Sequence, residues 1–127
     1  MQVPLELCRP ARELWWGDAQ NEPGTPEQLE AVLQELPRGD EVVGVDEAFS
    51  VGLNEPGTEE ESIEQLKDVL RDRFEDCVAV VCHWGVINAL CGASASNAMV
   101  VECKRFQASG HMQVTKHRDP PNAPMTR

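Results

Sequence analysis

Apolar residues recur at helical spacing in two stretches of the chain, and each stretch follows a threonine. Thr25 precedes Pro26, and Gln28 completes a capping-box pattern, so a helix is predicted to begin there. Thr58 precedes three glutamates and predicts a second capped helix, because acidic residues in a first turn interact favourably with the helix dipole. The apolar stripes are Leu29, Val32, Leu33 and Leu36 in the first helix, and Ile63, Leu66, Val69, Leu70 and Phe74 in the second.

The apolar run of residues 77–82 has no helical period. It is rich in β-branched residues and too short for a buried helix, so it predicts a strand covered on both faces. His83 ends the run, Gly85 permits a tight turn, and residues 86–90 have the spacing of a short helix that stops at Gly92. Open α/β sheets form sites where a strand turns directly into a helix, because the helix N-terminus offers free N–H groups. The sequence therefore places His83 at the mouth of a site.

Alternating patterns predict the remaining strands. Residues 1–7 alternate as an edge strand does, and residues 97–106 and 111–117 predict a closing antiparallel hairpin. Residues 38–57 read as a long irregular connection of the kind that covers active sites. The predicted fold class is α/β: a mostly parallel sheet with flanking helices and a C-terminal hairpin. A single domain is expected over residues 1–117, followed by a disordered, proline-rich tail over residues 118–127.

Composition and charge narrow the classes of partner. The 127-residue chain has 22 acidic and 11 basic residues, a net charge of −11, which opposes non-specific binding to nucleic acid. No apolar run reaches the length of about 20 residues that spans a bilayer, and no signal peptide is recognisable, so no membrane partner is expected. The five cysteines form no Cys-x-x-Cys pair and predict free thiols in a reducing compartment, for which the cytoplasm fits best.

Several chemistries can use a histidine in this position. His83 could carry a proton, ligate a metal, hold a phosphate or serve only as a structural residue. A Cys82–His83 dyad is disfavoured, because adjacent residues of a strand point to opposite faces. A metal site is disfavoured as well, because His83, Cys91, His111 and His117 show no familiar ligand spacing. The sequence thus predicts no metal and no cofactor.

One resemblance adds to this interpretation. Glu61-Ser62 with its amphipathic helix, then residues 78–92, then Asn97-Ala98, come in the order seen in the C-terminal half of the histidine phosphatase superfamily, the phosphoglycerate-mutase-like proteins. The resemblance covers residues 58–116 and implies part of a three-layer α/β/α fold. It also implies that His83 is the second active-site histidine, which binds the transferring phosphoryl group together with Trp84 and Gly85. Glu13, within residues 11–17, resembles the glutamate that acts as general acid.

The chain departs from the family in its defining element. It has no Arg-His-Gly stretch, whose histidine is the phosphorylated nucleophile, and its three histidines all lie in the second half. Three hypotheses remain: a phosphatase or mutase domain without its opening segment, a catalytically silent relative that binds an anion, or an unrelated α/β interaction module. The expected ligand is a phosphorylated small molecule or phosphate ester. The absent first strand also predicts self-association through exposed sheet surface.

Overall fold

The computed structural model of the protein describes residues 3–21, 24–45, 57–106 and 110–119. Three helices form in this part of the chain: α1 at Pro26–Glu35, α2 at Glu59–Asp72 and α3 at Trp84–Cys91. Two strands follow, β1 at Val100–Phe106 and β2 at Met112–Arg118, and short 3-10 turns lie at Arg9–Ala11, Ala19–Asn21 and Gly39–Glu41. The described residues thus hold helices and a two-stranded antiparallel sheet, which is a small α/β arrangement.

Both predicted helix starts are confirmed, and they differ in detail. At α1 the Thr25 side chain accepts the Gln28 N–H at 3.2 Å, and the Gln28 side chain accepts the Thr25 N–H at 2.8 Å, so the capping box is complete. At α2 the Thr58 hydroxyl accepts the Glu61 N–H at 3.1 Å. The Glu61 carboxylate, however, accepts the Gly57 N–H at 2.7 Å, one residue before the cap. At α2 the glutamate therefore binds the N–H of the residue before the N-cap, whereas a capping box uses the N–H of the N-cap itself. Two N–H groups are still satisfied.

The core is small and centres on α2 and α3. Ile63 and Leu66 of α2 pack against Val86 and Leu90 of α3, and these are the buried members of the cluster. Partly buried residues surround them, namely Cys8, Ala11, Leu14, Leu70, Cys82, Ala89, Phe106 and Met112. Helix α1 has no buried residue, so its predicted apolar stripe is only partly covered. The packing of α2 against α3 therefore forms the centre of the core.

The C-terminal hairpin is confirmed, and the mostly parallel sheet is not supported. Strands β1 and β2 pair antiparallel, with register irregularities on either side of Cys103. Residues 77–82, predicted as a buried central strand, belong to no strand, and Val81 is 96% exposed. The predicted N-terminal edge strand contributes one isolated parallel bridge, between Glu6 and Val43. Local sequence favours extended backbone over residues 77–82, but a strand also needs a neighbour, and none pairs with it in the described part of the chain.

Some predictions fall on residues that the structure does not describe. Residues 46–56 of the predicted long connection and residues 120–127 of the predicted tail lie outside the described ranges. Strand β2 continues to Arg118, one residue into the predicted tail. Within the described ranges, no helix has both the length and the apolar character needed to cross a membrane.

Candidate functional site

His83 occupies the N-cap position of α3. Its backbone is extended, and its carbonyl accepts the Ile87 N–H at 3.1 Å, so the helix begins at Trp84, two residues before the predicted start at residue 86. The imidazole is exposed and makes no side-chain capping bond. At the other end, Gly92 adopts the left-handed conformation with φ of 73°, and its N–H donates to the Asn88 carbonyl at 2.7 Å. His83 thus stands at the N-terminal end of a short helix with an exposed side chain.

Glu13 reaches the same helix end from the N-terminal part of the chain. One carboxylate oxygen accepts the Gly85 N–H at 3.2 Å, and the other accepts the Leu14 N–H at 2.9 Å. A negative charge in this position stabilises a helix N-terminus, by about 0.3–1 kcal/mol at the surface and more when partly buried. Glu13 and His83, the two residues singled out from the sequence as candidate catalytic groups, therefore lie at the same end of α3. Glu13 also occupies one of the N–H groups that a bound phosphate would need.

Two tryptophans cover this contact. The rings of Trp15 and Trp84 stack with centroids 5.9 Å apart and planes 17° from parallel. The Trp84 indole N–H donates to the Ser94 hydroxyl at 2.9 Å, and the Trp15 backbone N–H donates to the Glu59 carboxylate. Trp15 itself has a positive φ of 58°, which is uncommon for a residue with a side chain. The stack thus joins the segment that carries Glu13 to the first turn of α3.

Gly85 allows this close approach because it has no side chain. A Cβ atom at Gly85 would lie 2.5 Å from a Glu13 carboxylate oxygen and 2.9 Å from the Trp15 ring. The sequence predicted Gly85 as a turn residue and phosphate binder. In the structure it is a buried helical residue on which the Glu13 carboxylate and an indole ring pack.

Sequence reasoning missed two groups at this site. The Glu59 carboxylate, predicted only as a helix-start charge, also accepts the Trp15 N–H. Trp15 contributes its backbone N–H to Glu59 and its ring to the stack on Trp84, whereas the neighbouring Trp16 lies under the Arg12 guanidinium. No local pattern could have identified the contacts of Trp15 with Glu59 and Trp84, because each joins residues far apart in the chain.

Cys82 is not available as a nucleophile at neutral pH. Burial raises the pKa of its thiol to about 11, and the Glu13 carboxylate and Cys91 add to the rise. The thiolate is the reactive form, and at neutral pH the thiol remains protonated. The strand-geometry argument against a Cys82–His83 dyad no longer applies, because residues 77–82 form no strand, but the protonated thiol disfavours the dyad on its own.

The other two histidines lie elsewhere. His111 packs beside Gly92, its Nδ1 3.6 Å from where a Gly92 Cβ would be, which is the opposite end of α3 from His83. Eight helical residues separate these ends by about 12 Å. His117 is an exposed residue of β2. His111 therefore does not face His83 across a phosphoryl-sized gap.

The groove next to the site has a mostly apolar lining. It has a volume of about 240 Å³ and is lined by Leu14, Ile63 and Ala89 and by three glutamates, Glu59, Glu60 and Glu64. His83 is not among its lining residues. Within the described ranges, no group of three histidine, cysteine or carboxylate side chains is arranged to hold a metal ion. None of the six lining residues is basic, so the groove offers no positive charge to hold an anion.

Comparison of the chain with protein-family models, with curated protein sequences and with solved structures gives no match. The geometry around His83 therefore carries the functional argument.

Proposed function

We propose that this chain is a histidine-phosphatase-like α/β domain that binds a phosphate ester or related anion at the start of α3 without turning it over. The observation that carries the proposal is the convergence of the Glu13 carboxylate and the exposed His83 on the first turn of one helix. In the resemblance, these two residues are the general acid and the second active-site histidine. Under this proposal the fold is an incomplete version of the three-layer phosphoglycerate-mutase-like arrangement.

Three features support binding rather than catalysis. Phosphohistidine chemistry needs a nucleophile opposite the group that stabilises the spreading charge, and His111 lies at the opposite end of α3 from His83. The one nearby thiol is protonated. Glu13 is bound to the Gly85 N–H, where it competes with an incoming anion for the same donor. The site thus has a helix N-terminus that can bind an anion and a carboxylate, Glu13, that weakens this binding by competing for the Gly85 N–H.

A second candidate function has its own observation. Residues 77–82 make no backbone–backbone hydrogen bond in the described part of the chain, and Val81 is almost fully exposed. An unpaired apolar segment of this kind suits an interaction module that adds a strand from a partner. The two functions are compatible, because the anion site and this segment adjoin only at His83.

The first test uses Glu13→Gln, which removes the charge and keeps the size of the side chain. Two unit charges about 4 Å apart repel strongly at a protein surface, so loss of the Glu13 charge should tighten phosphate binding by about tenfold. The measurement is an NMR titration of the Gly85 and Ile87 amides with inorganic phosphate. The matched control is Glu27→Gln, which removes the same charge from the first turn of α1.

The outcomes separate the hypotheses. Equal phosphate affinity of Glu13→Gln and Glu27→Gln, or no shift of the Gly85 amide, would contradict anion binding at this helix end. Hydrolysis of p-nitrophenyl phosphate is expected to stay at the uncatalysed rate. Hydrolysis that is present in the unmodified chain and lost in His83→Ala would instead show an active phosphatase, with a nucleophile other than those considered above.

A further inference from the structure

The groove described above lies where α2, α3 and the segment of residues 13–15 meet. Helix α2 supplies Glu59, Glu60, Ile63 and Glu64, helix α3 supplies Ala89, and Leu14 closes the third side. Its volume of about 240 Å³ is smaller than that of pockets for drug-sized ligands, which hold about 300–1,000 Å³. The groove therefore suits a small ligand or a short alkyl chain.

Hydrogen bonds on both sides hold the third wall of the groove in place. Glu13 accepts the Gly85 N–H of α3 at 3.2 Å, and the Trp15 backbone N–H donates to the Glu59 carboxylate of α2. Leu14 lies between these two residues and lines the groove. Because the segment is attached to both helices, the groove is formed before any ligand binds, which lowers the cost of binding.

The apolar and the charged lining residues lie at different depths. Ile63 is only 8% exposed, and Leu14 and Ala89 are partly buried, so these three residues form the floor. Glu60 and Glu64 are exposed and lie at the rim. On a helix, residues three and four positions apart share a face, which places Glu60 directly above the floor residue Ile63. A ligand that matches both levels has an apolar chain and a charged end.

The carboxylates of the groove differ in their partners. Glu64 pairs with Lys67 at 3.3 Å, and Glu59 accepts the Trp15 N–H. Glu60 makes no hydrogen bond or ion pair with any residue that the structure describes. No lining residue is basic, and the chain as a whole has a net charge of −11, which attracts cations over long range. The complementary charged end is therefore a cation, and Glu60 is the carboxylate available to it.

We propose that this groove binds a small aliphatic amine. Its alkyl chain lies on the floor of Leu14, Ile63 and Ala89, and its ammonium group pairs with Glu60 at the rim. Lysine side chains are bound in the same way in many proteins, with the alkyl stem on apolar surface and the charged end in water. The site is separate from the proposed anion site, because His83 does not line the groove.

The test is an NMR titration of the unmodified chain with n-pentylamine, which is protonated at neutral pH as a lysine amine is. The methyl groups of Leu14, Ile63 and Ala89 are expected to shift and to saturate together. Two analogues separate the contributions: n-pentanol keeps the chain without the charge, and methylamine keeps the charge without the chain. Each is expected to bind at least about fivefold more weakly than n-pentylamine.

A pair of matched variants locates the charge. Glu60→Gln should weaken n-pentylamine binding by about fivefold, the upper end for an exposed ion pair. Glu27→Gln should leave the affinity unchanged. Glu27 and Glu60 are both the second residue of a threonine-capped helix, so the two variants change the net charge and the helix N-terminus alike.

Three outcomes would overturn the proposal. Equal affinity of Glu60→Gln and Glu27→Gln would show that the amine responds only to the net charge. Shifts that spread over the acidic surface without saturating would show that no groove is occupied. Binding of n-pentanol as tight as that of n-pentylamine would show an apolar site with no preference for cations. None of these outcomes depends on phosphate binding, so the proposal can fail while anion binding at His83 stands.

Discussion

The contact between Glu13 and Gly85 joins residues 72 positions apart and holds the N-terminal segment on α3. It depends on the missing side chain at position 85, where the carboxylate and the Trp15 ring come closer than a Cβ would allow. Some residues of this site could be predicted from the sequence, and others could not. His83, Gly85 and Gly92 followed from local patterns, and Glu13 followed from the resemblance. Trp15 and Glu59 could not be predicted, because their roles exist only after the chain has folded.

Gly85→Ala is expected to destabilise the protein. The added methyl group must displace the Glu13 carboxylate and the Trp15 ring, and overpacking of this kind costs about 1–3 kcal/mol of the free energy of unfolding. Higher helix propensity of alanine returns about 1 kcal/mol at most. Urea unfolding followed by tryptophan fluorescence measures the difference. Gly17→Ala is the control, since a Cβ there meets no atom within 4 Å. Equal stability of the two variants would mean that the close contact is not formed.

The three helices contribute unequally to the core, although the same two signals, a threonine cap and apolar periodicity, predict both α1 and α2. Capping residues and apolar periodicity are local, and they gave the starts of α1 and α2 correctly. Burial is not local: α2 has buried Ser62, Ile63, Leu66 and Lys67, whereas α1 has no buried residue. The same reasoning explains residues 77–82. Their composition favours a strand, but the pairing of a strand is decided by chain segments elsewhere.

Equivalent cap mutations should therefore have different effects in α1 and α2. Thr58→Ala removes the acceptor of the Glu61 N–H, and loss of such a cap lowers the free energy of unfolding by about 1 kcal/mol. Because α2 forms the core, this loss should appear in the global urea transition. Thr25→Ala removes the matching acceptor in α1, where it should increase only local amide hydrogen exchange. A global loss of the same size in both variants would show that α1 is part of the cooperative core.

On the scale of the whole molecule, the described core is small beside the apolar surface that remains exposed. Phe74 is 92% exposed and Val81 is 96% exposed, and they flank a stretch with no backbone–backbone hydrogen bonds in the described ranges. The net charge of −11 opposes association of two copies, but residues 77–82 themselves carry no charged side chain. Salt screens the long-range repulsion, with a Debye length of about 8 Å at physiological ionic strength, and leaves burial of apolar surface unaffected.

Self-association through residues 77–82 is therefore expected at physiological salt, and it should weaken at low salt. Sedimentation velocity over a wide range of protein concentration should show a reversible increase in mass for the unmodified chain. Val81→Lys should shift this equilibrium towards the monomer. It replaces an exposed apolar side chain by a charged one, and a lysine on an unpaired segment disfavours pairing with another copy. Val32→Lys is the control: Val32 is also exposed, at 54%, but it belongs to the peripheral helix α1. A monomer at every concentration, or equal effects of the two lysines, would assign the exposed segment to some role other than pairing between copies.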